Sequence, residues 1–334
     1  MTAVSNLIAA LMVGGLALWA QWARKSRAAE ISLWVLILAL SFLTLLVGVL
    51  LVVTSVSGAA ASIVPGRLIR LETIGMLVAG VAGLGLCVPP LLKITGRSRG
   101  GKWSEPPVFL ALWLFVMVLF TNNLVGILGF EQVTSLGARS LGEGARLSPT
   151  TVLGTELPFV IVAVCGVGLG VRRNLRQTLA RLGYGNLSLR GLAAAALFVV
   201  AALALSPVAD RVFTLLQPEL SRRVGHLSTS LFGTGGMSPS QAVLFALLLG
   251  VGAALGEETL FRGAVQPVLG IPLTSVLFAS MHLEYGPSVI LIYLFLISAG
   301  LGLLRRHFNT TTSFTAHAAY NTLSVLIPYF LGSP

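Results

Sequence analysis

The sequence predicts an all-α fold, a polytopic transmembrane helical bundle with about nine to ten hydrophobic helices, and three observations carry that prediction. Of 334 residues, 55% are hydrophobic and 10% charged, with a mean hydropathy of +0.91, against about 25% charged for an ordinary soluble domain. Apolar runs close to the roughly 20 residues a helix needs to cross a bilayer recur along the whole chain. The runs are continuous rather than alternating, and lipid offers backbone groups no partner, so helices rather than barrel strands satisfy them.

The runs fall at about 5–23, 31–57, 72–92, 107–128, 152–171, 191–207, 242–268, 288–304 and 312–332, with a shorter one at 273–283. No basic residue precedes the first run, and Arg24, Lys25 and Arg27 follow it. This is unlike a cleaved signal peptide, so the first helix is expected to remain as an anchor. Loops rich in Gly, Ser and charge are expected from Lys93 to Pro106 and from Phe130 to Pro149.

The net charge of +11 would suit nucleic acid, but the basic residues sit in short loops between apolar runs, as the positive-inside rule expects. The partners expected are therefore the lipid bilayer and a membrane-anchored protein or peptide, with no nucleic acid. Placing Arg24–Arg27, Lys93–Lys102 and Arg172–Arg181 inside gives alternating crossings with the N-terminus outside, and puts Arg305 and Arg306 inside if 273–283 counts as a crossing. Cys87 and Cys165 each lie in an apolar run and are read as small core residues.

Two regions are expected: residues 1–190, a transmembrane region without a chemical motif, and 191–334, which carries the chemistry. Between them, Arg172–Arg190 mixes Arg with Leu175, Leu179 and Leu182 at helical spacing, as in a helix lying along the inner membrane surface. Pro207 to Gln241 is the longest polar stretch, two helix-like pieces and a Gly-rich break, suited to a lid on the outer side. Asn122, Asn123 and Glu156 are costly inside apolar runs; hydrogen bonds between helices are the favoured reading of all three.

The chemistry gathers in three places. Gly256-Glu257-Glu258-Thr259-Leu260-Phe261-Arg262 puts two carboxylates and a guanidinium inside a helix expected from about Ala242 to before Gly270. Glu258 and Arg262, four apart, share a face and can pair, whereas Glu257 points about 100° away and stays free. A partly buried glutamate beside a small polar cavity suits a general base working on water; a structural ion cluster is the alternative. Gly250, Gly252 and Gly256 form a small-residue stripe for close helix approach.

Leu273–Leu283 carries Phe278 and His282 four apart, and at ~11 residues it reaches about 16 Å, half the hydrocarbon thickness. The last helix holds His317 and Asn321 one turn apart, able to present donors to an oxyanion or to each other in helix packing. Together these groups supply a base, a water site and oxyanion donors, which amide hydrolysis requires.

The ordered set Glu257-Glu258-xxx-Arg262, Phe278-xxx-His282 and His317-xxx-Asn321 resembles the three motifs of the CAAX-processing and bacteriocin-processing family of intramembrane proteases, over roughly residues 190–332. That resemblance implies Glu257 as the group that activates water, His282 as its helper, and His317 and Asn321 as oxyanion donors, with Glu258, Arg262 and Phe278 in support. It favours a hydrolase with no cofactor. Zinc is the alternative, held by His282, His317 and a glutamate, although no HExxH spacing occurs.

The expected activity is endopeptidase cleavage of a membrane-associated protein or peptide during maturation, tail processing or sorting. The Ala, Gly, Leu and Arg bias over Lys points to a bacterial chain, hence to the cell (inner) membrane. A non-catalytic immunity or scaffold protein has no need for this costly residue set. A secondary transporter would show a counterpart of the carboxylate motif in its first half, and none is seen before residue 190.

Overall fold

A computed structural model describes residues 3–56, 66–94, 102–132, 134 and 147–332. Arg97, Arg99 and most of the loops expected at Lys93–Pro106 and Phe130–Pro149 lie outside the described residues. Among the described residues the chain is helical with no strand, and eight helices are long and apolar enough to cross a membrane. It is a polytopic helical bundle and a multi-pass membrane protein. Large apolar side chains such as Phe42, Leu50, Leu197 and Leu244 stand exposed along these helices, the outward face that lipid requires.

The expected nine to ten hydrophobic helices resolve differently at the C-terminal end. The runs at 242–268 and 273–283 belong to one 42-residue helical stretch, Pro239–Ser280. The last helix, Thr310–Leu331, is fully formed but falls outside the eight, because Thr310, Thr311, Thr312, Ser313, His317 and Asn321 lower its hydropathy. Nor does Pro207 end its helix, which continues from Leu189 to Leu216; neighbouring groups in a bundle can satisfy the carbonyl a proline frees.

Packing divides the chain into two compact units, one of residues 1–18, 144–279 and 288–334, the other of 19–143 and 280–287. The second unit contains helices α2 (Arg27–Val56), α3 (Gly66–Ile94), α4 (Pro106–Val118) and α5 (Leu124–Leu128), after α1 (Ala3–Ala23), which both units share. α2 and α3 run in close contact where Gly80 faces the Leu45 backbone, a gap too small for a Cβ. Trp113 Nε1 donates to Ser41 Oγ (2.8 Å), Trp34 stacks on Phe109 (4.3 Å), and Lys93 pairs with Glu30 (2.6 Å). Asn123, fully buried, donates to Ser280 Oγ (2.8 Å) and accepts from Asn122 (2.9 Å). For Asn123 the packing role read from the sequence holds, whereas Asn122 is exposed and bonds its neighbour Asn123.

The first unit begins with α6 (Pro149–Gly166), started by Ser148, whose side chain accepts from the Thr151 amide. The surface helix α7 (Leu175–Leu182) forms where expected, with an Asn174/Gln177 capping box at its start and Gly183 at φ 82° closing it. Its Leu175 and Leu179 are exposed, while Leu182 is buried with Ala163 and Val167. α8 (Leu189–Leu216) and α9 (Pro218–Phe232) follow, then α10 (Pro239–Glu257), capped by Ser238 and Gln241. α10 leads without a break into a π-helical turn at Glu258–Val265 and then α11 (Gln266–Ser280).

Gly270, at φ 80° and ψ 171°, interrupts α11, as its place before Pro272 predicts. Beyond it only about ten residues remain, some 15 Å of helix. α12 (Ile290–His307) and α13 (Thr310–Leu331) complete the unit. α8, α12 and α13 share a core of Ala195, Val199, Ala202, Tyr293, Ile297, Leu301 and Ala316. Tyr293 fastens it, its hydroxyl bonded to Ala202 O (3.0 Å) and Tyr320 Oη (2.8 Å). This layer holds α13 beside α10.

Candidate active site

Glycines set how closely the helices carrying the polar groups meet. A Cβ at Gly250 would lie 2.7 Å from Ala318 O and 3.0 Å from Thr322 N, so α13 packs backbone to backbone against α10. One turn and a half further along, Gly256 faces Glu156 of α6, with Glu156 Cβ and O both 2.9 Å from where its own Cβ would stand. The small-residue stripe read from the sequence thus admits α13 on one side and α6 on the other.

Within that space Glu258 and Arg262 form the expected pair, Oε1 to Nη1 at 3.0 Å, and neither side chain is exposed. Arg262 Nη2 also donates to Ser298 O and Oγ of α12, each at 3.2 Å. Phe278 covers the guanidinium, whose Cζ lies 4.8 Å from its ring centroid, and meets Phe261 edge-on at 5.2 Å. A buried ion pair is favourable only when such further bonds satisfy its remaining groups.

The π turn shifts the register of the carbonyls that follow Glu257, and two of them are taken by arginines of α12 and α7. Arg305 Nε donates to Arg262 O (3.0 Å) and Arg181 Nη1 to Gly263 O (3.3 Å). Tyr184 Oη bonds Thr259 Oγ1 at 2.6 Å, and burial pushes the Tyr184 phenol up from its ordinary value. Ser298, Arg181, Arg305 and Tyr184 carry no motif in the sequence, and only the packing reveals them.

His317 joins the two glutamates. Its Nδ1 lies 2.9 Å from Glu258 Oε1, and its Nε2 lies 3.7 Å from Glu257 Oε2. An ionised Glu258 only accepts, so Nδ1 carries the hydrogen and Nε2 is directed to the Glu257 side. Glu257 is the more accessible carboxylate, 16% exposed against 0% for Glu258. Phe278 packs edge-on against the imidazole at 6.1 Å.

The structure thus brings Glu257, Glu258, Arg262, Phe278 and His317 into one cluster. Asn321 sits one turn beyond His317 on α13, half-buried. His282 is not in the short helix where the sequence put it. α11 ends at Ser280, and His282 follows in the 280–287 segment of the second unit, its ring 6.4 Å from Tyr285. Among the described residues no three His, Cys, Asp or Glu side chains are arranged as metal ligands, and His317 Nδ1 is occupied by Glu258. No step is therefore derived through zinc.

A multi-pass helical membrane protein with a carboxylate–imidazole–carboxylate chain buried between its helices is the class that fold and site define. Residues 239–323 match the family described as type II CAAX prenyl endopeptidase Rce1-like. This stretch runs from α10 to past Asn321 and is the part of the chain that is similar to that family. Comparison with curated proteins and with solved structures finds no match in either.

Proposed function

We propose that the chain is an intramembrane endopeptidase that hydrolyses a peptide bond in a membrane-associated substrate, with Glu257 as its general base. The observation that carries this reading is the placement of His317, held by Glu258 on one nitrogen and facing Glu257 with the other. A base, and a histidine oriented by a third group, is the recurring arrangement of hydrolytic sites.

In this reading Glu257 takes a proton from water and the hydroxide attacks the carbonyl carbon. Asn321 stabilises the oxyanion, joined by His317 once its Nε2 also carries a hydrogen, and the C–N bond breaks as Glu257 returns the proton to the leaving amine. The order of the motifs assigns His282 to positioning the water. The Ala, Gly, Leu and Arg bias over Lys supports a bacterial cell membrane, and the family resemblance supports maturation or sorting of a peptide or tail as the process served.

The test is cleavage of a candidate substrate co-expressed in membranes, by wild type, by Glu257→Ala and by wild type with a strong zinc chelator. Loss in the mutant alone supports a glutamate base acting without metal, and loss in both points to zinc. Unchanged cleavage by Glu257→Ala overturns the assignment and brings the immunity or scaffold reading forward.

A further inference from the structure

Among the described residues no cationic side chain pairs with Glu156, whereas Glu258 has Arg262 and Glu257 has His317. Glu156 lies midway along α6, in a helix long and apolar enough to cross the membrane. Its carboxylate packs on Gly256, the residue before Glu257. Thr155 Oγ1, at 3.4 Å, reaches Oε1 at the limit of a hydrogen bond, while Oε2 is buried with no partner. Glu257 is near enough for the two carboxylates to repel one another.

The charges around this point do not balance. The elements packed on α6 are α10, the π turn and α7, which carry Glu257, Glu258, Arg262, Arg176 and Arg181, and α1 at Gly14, which carries no charged residue. Arg262 is paired with Glu258, and Arg181 is turned to Gly263 O. Three carboxylates therefore share one guanidinium inside the bundle, with His317 between two of them. An ion without a partner is far more costly there than an un-ionised carboxyl, and neighbouring carboxylates settle this by keeping one proton between them.

We propose that Glu156 carries that proton, leaving Glu257 as the carboxylate that faces His317 and is free to act on water. The assignment follows from their surroundings: Glu257 is partly exposed and faces His317, whereas Glu156 Oε2 is buried without a donor. Glu156 is thus a positioning residue that sets the charge beside the base, supplied by a helix outside the matched family stretch. What the proton does for catalysis rests on the endopeptidase reading; its presence on Glu156 does not.

Infrared difference spectra of the full-length protein at neutral pH test the proton directly. Wild type should show the carbonyl stretch of an un-ionised carboxyl, and E156Q should lack it. A spectrum without that band in wild type, or with it intact in E156Q, overturns the proposal. In the cleavage assay, E156Q is uncharged like the protonated acid and should retain activity within about threefold of wild type. The pH dependence of the wild-type rate should change in E156Q, which has no carboxyl to titrate at this position.

Superimposable pH profiles, or an E156Q rate as low as that of Glu257→Ala, would also overturn it. A folded E156A showing the same loss of the band separates the charge from the shape of the side chain. Failure of the endopeptidase reading would appear elsewhere, as cleavage that survives Glu257→Ala.

Discussion

His317 Nδ1 and Glu258 Oε1 lie 2.9 Å apart in the bundle interior, and this contact fixes which imidazole nitrogen faces Glu257. Replacing Glu258 by Gln keeps the shape but removes the negative charge, and its amide can turn an N–H donor toward Nδ1, so the hydrogen is no longer held there. Cleavage by Glu258→Gln should therefore fall on the order of 10²-fold or more, with the loss in kcat rather than KM. A rate within a few-fold of wild type would show that the tautomer is set by another group.

Arg262 is expected to matter to stability before it matters to rate. Its guanidinium is buried and reaches both Glu258 and Ser298, so Arg262→Ala leaves Glu258 without its cationic partner and with only the His317 contact. The expected loss is about 3–5 kcal/mol, read as a lower unfolding temperature in detergent and reduced protein in the membrane. Lys should rescue poorly, because a point charge cannot pair with Glu258 while donating twice to Ser298. Wild-type stability in the Ala variant would contradict the packing described here.

Much of this cluster was legible because helical spacing is rigid. Glu258 and Arg262 pair since residues four apart share a face, and Gly270 with Pro272 marks the break in α11. His282 was misplaced because local spacing from Phe278 cannot show that the helix stops at Ser280. Glu156 was grouped with Asn122 and Asn123, although the asparagines found partners and its Oε2 did not. Whether a polar residue in a span is satisfied depends on another helix more than a hundred residues away, and no local pattern records it.

The two glycines facing different helices should separate in a substitution series. Ala at Gly250 brings a Cβ against the backbone of α13, at Ala318 O and Thr322 N. Backbone atoms cannot step aside, so Gly250→Ala should cost about 1–3 kcal/mol as overpacking. Ala at Gly252 meets only Val152 Cγ1, at 2.9 Å, the end of a side chain that can turn. Gly252→Ala should melt closer to wild type, and the reverse order would mean that α13 does not pack on α10 as described.

Asn321 allows rate and stability to be told apart. It is half-buried on α13, one turn from His317, and its side chain is tied into none of the buried bonds that hold Arg262 and Glu258. Asn321→Ala should leave unfolding within about 0.5 kcal/mol of wild type, as substitutions away from buried networks do. If its amide meets the oxyanion, the same variant should lose about 10²- to 10³-fold in kcat. Asn321→Asp offers no amide donor and adds a negative charge one turn from His317, so it should be no faster than Ala. Full activity in both variants would remove Asn321 from the site and leave His317 as the donor on α13, whereas a large drop in unfolding temperature would make its role one of packing.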